Sequence, residues 1–76
     1  MKTNKELFDL AKSYVMLMDG FENATLEFEI DEFKEEMEKI RNVILEKGYD
    51  VNKFVEYQAL YRNMTVAEYF EFIKSL

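Results

Sequence analysis

Apolar residues recur along the first part of the chain at alternating gaps of three and four, the spacing that gathers one face of a helix. They are Leu7, Leu10, Tyr14, Leu17 and Phe21. Thr3 followed by Glu6 has capping-box spacing, so a helix is expected from about Asn4 to Asp19. Gly20 reads as its stop, since glycine enters the left-handed conformation without steric cost. The stretch "FENA" then makes a short connection.

The next pattern is stronger at its end than at its start. Leu26, Ile30, Phe33, Met37, Ile40 and Ile44 fall at gaps of 4, 3, 4, 3 and 4, a helical seam of almost three heptads. Within it, "LEFEI" also alternates apolar and acidic, which puts Leu26, Phe28 and Ile30 on one face of a strand, with Asp31 capping a helix behind it. A short strand near residues 25–30 needs a partner, and only the same strand in a second copy would supply one. A helix from near Thr25 is preferred and the strand entry stays open; from Glu32 to Lys47 both readings give helix, ended by Gly48.

Asp50 or Asn52 caps a third helix, "VNKFVEYQALYR", with Phe54, Tyr57, Leu60 and Tyr61 on its apolar face. Thr65 with Glu68 forms a second capping box, and Met64 is placed to pack on Tyr69 as a hydrophobic staple before a fourth helix containing Val66, Tyr69, Phe70, Ile73 and Leu76. No proline interrupts any of these segments. The expected architecture is all-α: residues 1–76 as one domain, a long helical hairpin with two shorter helices folded across it.

Composition restricts how such a fold is held together. A chain of 76 residues buries only roughly 60% of the surface it exposes when unfolded. It has no cysteine and no histidine, so neither a disulfide nor a histidine- or cysteine-bound zinc reinforces it. Seven Phe and five Tyr in a chain that is 49% apolar argue against disorder. No segment has the apolar length of a secretory h-region or a membrane span, which points to a cytoplasmic protein.

The same absences remove most chemistry. Ser13 and Ser75 have no histidine or cysteine partner to activate them, and the two glycines, Gly20 and Gly48, do not form a phosphate-cradling loop. Glu32, Glu35 and Glu36 crowd one turn, but the histidines of a di-iron bundle are missing. "DGFENATLEFEI" fails the calcium-loop template, with glycine second and isoleucine last. The third and fourth helices have helix-turn-helix proportions, yet the outward positions expected on the fourth are Ala67, Glu68, Glu71, Phe72 and Ser75, with only Lys74 basic. No enzyme, cofactor, metal or direct nucleic-acid contact is expected.

Charge is the feature left over. The chain carries −6, and one segment holds the imbalance. Between Glu22 and Glu38, eight acids (Glu22, Glu27, Glu29, Asp31, Glu32, Glu35, Glu36 and Glu38) face Lys34 alone, for −7, while the remainder has eight acids and nine bases, for +1. Such a charge disfavours phosphate backbones and anionic membranes and favours a protein with a basic surface. Asp31/Glu35 and Glu32/Glu36 are like charges four residues apart, each mildly destabilising. Carboxylates one helical turn apart are separated by about 6 Å, the order of the charge spacing along a nucleic-acid strand.

These features point to an inhibitor or regulator of a nucleic-acid-binding protein, with the acidic segment standing in for nucleic acid. In size, charge and lack of active-site chemistry the chain resembles phage-encoded anti-defence proteins such as anti-CRISPRs; no motif carries that resemblance. The alternative is a self-associating structural or adaptor module, a homodimer paired through "LEFEI" or through aromatic residues. Phe28, Tyr57, Tyr61 and Phe72 are the candidate aromatic interface.

Overall fold

A computed structural model describes residues 4–75, which form four helices: α1 Asn4–Asn23, α2 Glu27–Lys47, α3 Val51–Arg62 and α4 Val66–Ser75. The expected all-helical bundle is what forms, and no strand occurs among the described residues. α1 is the central helix, packed against α2 on one side and α3 on the other. Thr3 and Leu76 lie outside the described residues, as does the side chain of Ile73.

The strand alternative at residues 25–30 is not adopted. Leu26 is extended, with φ −98° and ψ 139°, and its carbonyl accepts from the N–H groups of Glu29 and Ile30 to close the first turn of α2, which begins at Glu27. Helical winding sets the Phe33 ring against Gly20 of α1, half-buries Ile30 and buries Met37, whereas a strand would have been left without a partner. Phe28 is the residue that loses cover, being 61% exposed.

The two glycines differ in role. Gly48, at φ 70°, ends α2 in a Schellman motif: its N–H bonds to the Leu45 carbonyl and that of Tyr49 to the Ile44 carbonyl. Gly20 was expected to stop α1 in the same way, but α1 runs through it to Asn23. A Cβ at Gly20 would lie 2.7 Å from two carbons of the Phe33 ring. The glycine is therefore an opening on α1 into which α2 inserts an aromatic ring.

The starts of α3 and α4 follow their capping residues. The Asp50 carboxylate accepts from the N–H groups of Asn52 at 2.9 Å and Lys53 at 3.4 Å. Thr65 and Glu68 close their capping box reciprocally, the Thr65 N–H donating to Glu68 at 2.9 Å and the Glu68 N–H to the Thr65 hydroxyl at 3.2 Å. Met64 and Tyr69, the expected staple pair, both pack against the core.

The core centres on Phe8, which is fully buried. The rings of Tyr57, Tyr61, Tyr69 and Phe72 surround it, with centroids 5.6, 6.3, 6.1 and 4.6 Å away. Leu7, Ala11, Ile44 and Phe54 complete the buried cluster. On α1 the deepest line is thus Leu7, Phe8, Ala11 and Val15, while Leu10, Tyr14, Leu17 and Phe21 from the expected stripe are half-buried. A helix sandwiched between two others buries two adjoining stripes, and the alternating pattern captures only one.

Two further faces differ from expectation. Val66 and Phe70 of α4 are 73% and 58% exposed, whereas Phe72, expected to face outward, packs against the core beside Tyr69, which turns inward as expected. Leu60, expected on the inner face of α3, is 43% exposed. Polar contacts pin the edges: Lys12 donates to the Tyr69 hydroxyl at 2.7 Å, and Glu6 accepts from Lys47 at 2.7 Å and from the Tyr49 hydroxyl. The bundle is flat, only 16 Å along its shortest axis. Its radius of gyration of 13.2 Å exceeds the roughly 11.4 Å of a compact chain of this length.

Two predictions come from this packing. Glycine in a helix interior normally costs about 1 kcal/mol relative to alanine. Gly20→Ala should stabilise a Phe33→Ala chain by about that amount and lose the gain when Phe33 is present, a coupling of roughly 0.5–3 kcal/mol in a urea-denaturation double-mutant cycle. Equal effects in both backgrounds would show that the glycine does not serve the ring. The second concerns pH. Hydrogen bonds to Tyr69 and Glu6 raise the pKa values of Lys12, Lys47 and Tyr49 above their ordinary range. A raised folded-state pKa means that the folded protein holds the proton more tightly, so this stability is present below the unfolded pKa and lost as pH climbs through the folded one. Thermal melts should fall above about pH 10, and Glu6→Gln should shrink the fall without abolishing it, because the Lys12–Tyr69 bond remains.

Candidate functional site

Helical spacing sorts the acids of α2 into two ridges. Glu27, Asp31, Glu35 and Glu38, at gaps of 4, 4 and 3, follow one flank over about 16 Å. Glu29, Glu32 and Glu36 follow the other, and Phe28 stands between the two, three and four residues before Asp31 and Glu32. All of these acids are exposed except Glu29, which is half-buried, and Glu22 stands exposed on the last turn of α1.

Their charge is almost wholly unpaired. Of the eight acids only Glu36 forms an ion pair among the described residues, with Lys39 at 3.0 Å, a contact that raises the Lys39 pKa. The other ion pairs, such as Lys47–Glu6 and Arg62–Asp19, lie outside the cluster. The two cations best placed to neutralise it turn to α1 instead. The Lys34 ammonium sits 6.0 Å from the centre of the Phe21 ring, and Arg41 donates to the Tyr14 hydroxyl at 2.9 Å. Among the described residues no three acids converge as metal ligands would, so the carboxylates form a distributed field.

An apolar groove of about 680 Å³ opens between α1, α2 and α3 beside this field. Buried Met37, Ile44 and Phe54 form its floor, Tyr14, Met18 and Phe21 its α1 wall, and Glu22, Arg41 and Gln58 its polar groups. Leu45, Val51 and Val55 line its mouth at 70%, 53% and 57% exposure. Glu38 follows the floor residue Met37 and precedes the lining residues Arg41 and Leu45 by three and seven positions, so the first acidic ridge runs on into the α2 wall.

The expected aromatic interface does not assemble. Tyr57 is buried, and Tyr61 and Phe72 pack against the core around Phe8, so only Phe28 of the four is exposed. Their rings are consumed because α3 and α4 meet α1 through aromatic contacts. The groove was missed in the sequence, although a signal existed: Val51 and Val55 add a second apolar line to α3 beside Phe54, and Leu45 adjoins Ile44 off the α2 seam.

Among the described residues no helix is long and apolar enough to cross a membrane. No protein-family model, curated protein or solved structure matches the chain.

Proposed function

We propose that this chain is a protein-binding protein that inhibits or regulates a nucleic-acid-binding protein, its acidic α2 presenting carboxylates where the partner expects phosphates. The observation that carries this reading is the unpaired charge: seven of eight clustered acids lack a cation, while Lys34 and Arg41 are spent on aromatic groups of α1. Solvated helix faces usually interleave charges at i and i+4, which stabilises them. A face that forgoes this and stays single-signed accelerates encounter with a basic surface and repels other acidic ones. The reading involves no catalytic step and no cofactor, and its partner is a protein with a basic surface, of the kind met by phage anti-defence proteins.

Self-association is the second reading, favoured by the exposure of Val66 and Phe70 on α4. Mass in solution as salt is raised separates the two, since an electrostatic complex weakens and an apolar homodimer persists.

Asp31, Glu32 and Glu35 are exposed and lack ion pairs, so Asp31→Asn with Glu32→Gln and Glu35→Gln should hold stability level or raise it by a few tenths of a kcal/mol. The same triple should weaken capture of the partner from source-cell extract by more than tenfold, and displacement of that partner's nucleic acid with it. Glu46→Gln, Glu56→Gln and Glu71→Gln remove as much charge elsewhere and should change neither. A partner that holds chain and nucleic acid together, or that binds both triples as it binds the parent, would refute nucleic-acid mimicry.

A further inference from the structure

We infer that the groove between α1, α2 and α3 seats a basic amphipathic segment of the protein partner, apolar side chains inserted among Met18, Met37 and Phe54 and cationic ones lying along the acidic ridge. The inference rests on the reading of this chain as a partner-binding protein, and adds what kind of segment it takes. Helix-in-groove recognition needs an apolar trough to receive anchor side chains and a polar border to choose among helices. Both are present on one side of α2.

The state of the mouth argues for an occupant larger than a small molecule. A ligand confined to the floor would leave Leu45, Val51 and Val55 wet, at 70%, 53% and 57% exposure. A helix lying across the groove covers them along with the floor. Met18 and Met37 suit such an occupant, because unbranched thioether side chains repack around differently shaped anchors.

Charge decides which amphipathic segment. Glu22 lines the groove and Glu38 borders it, with Glu35, Asp31 and Glu27 extending the ridge away from it; none of these carboxylates has a cation partner among the described residues. The one cation of the lining, Arg41, is engaged by the Tyr14 hydroxyl at 2.9 Å. A segment with Lys or Arg beside its apolar stripe is complementary on both counts. A second copy of this chain is not, since it brings a further −6 to the same acids.

The test uses the whole chain and three synthetic helical peptides as probes. One carries leucines at i, i+3, i+4 and i+7 with lysines elsewhere, the second replaces its lysines with glutamates, and the third replaces its leucines with serines. Fluorescence anisotropy should show the Leu/Lys peptide binding at least tenfold tighter than either control, and methyl resonances of Met18 and Met37 should shift as it binds. Leu45→Ser with Val55→Ser, both exposed positions, should weaken that binding at least tenfold while leaving the thermal melt in place. Equal binding of the Lys/Ser peptide would assign capture to the acidic ridge alone, overturning the groove while leaving the mimicry reading standing. Equal binding of the Leu/Glu peptide, no binding of any peptide, indifference to the double variant, or dimerisation abolished by that variant would each overturn the groove assignment as well.

Discussion

Everything in this bundle hangs on the ring of Phe8. It projects from the central helix and is the meeting point of four other rings, two from α3 and two from α4. Edge-on and tilted aromatic pairs gain about 0.5–1.5 kcal/mol each beyond the area they bury. In a chain with no cysteine and no histidine, a few such contacts are a large share of a stability on the order of a tenth of a kcal/mol per residue. α1 meets α2 differently, through the Phe33 ring over Gly20 and through Ile44, which joins the buried cluster around Phe8.

That division explains where the acids go. Once Ile30, Phe33, Met37, Ile40 and Ile44 turn inward, the acids between them, Asp31, Glu32, Glu35, Glu36 and Glu38, are left facing solvent. The cations sharing the α1 side of the helix, Lys34 and Arg41, reach rings of α1 and are thereby withheld from the carboxylates. Packing on one face of α2 and the uncompensated field on the other are therefore linked through the same two side chains. The groove belongs to the same arrangement: α1, α2 and α3 each supply part of its lining, and it opens beside the ridge.

Local signals in the sequence were reliable where one residue type satisfies one backbone need. The Thr65–Glu68 box, the Asp50 cap and the left-handed Gly48 all occur where their patterns place them. Gly20 was misread because a glycine that ends a helix and one that admits a neighbouring ring look alike until the neighbour is known. The facing of α4 failed for another reason. Val66, Tyr69, Phe70 and Phe72 are all apolar, so a ten-residue helix could present more than one stripe. Phe70 and Phe72 lie about 200° apart on such a helix, and only the demand of Phe8 for a ring beside it selects Phe72. The acidic face was legible because charge reports itself, whereas the groove is lined by three helices together, which no single segment encodes.

A flat bundle of this kind keeps little in reserve, which sharpens the meaning of its charge. Like-charge pairs one turn apart on α2 each cost a few tenths of a kcal/mol in a helix, and pairing them with lysine would have recovered as much. Six ion pairs occur among the described residues, five of them away from the cluster, so the chain does form such contacts where charge is merely surface. Holding them back over some 16 Å of helix beside an open apolar groove leaves two unmet demands on one side of α2, for cations and for apolar contact. A single basic amphipathic partner segment would meet both, and its binding would relieve the repulsion that the free protein tolerates.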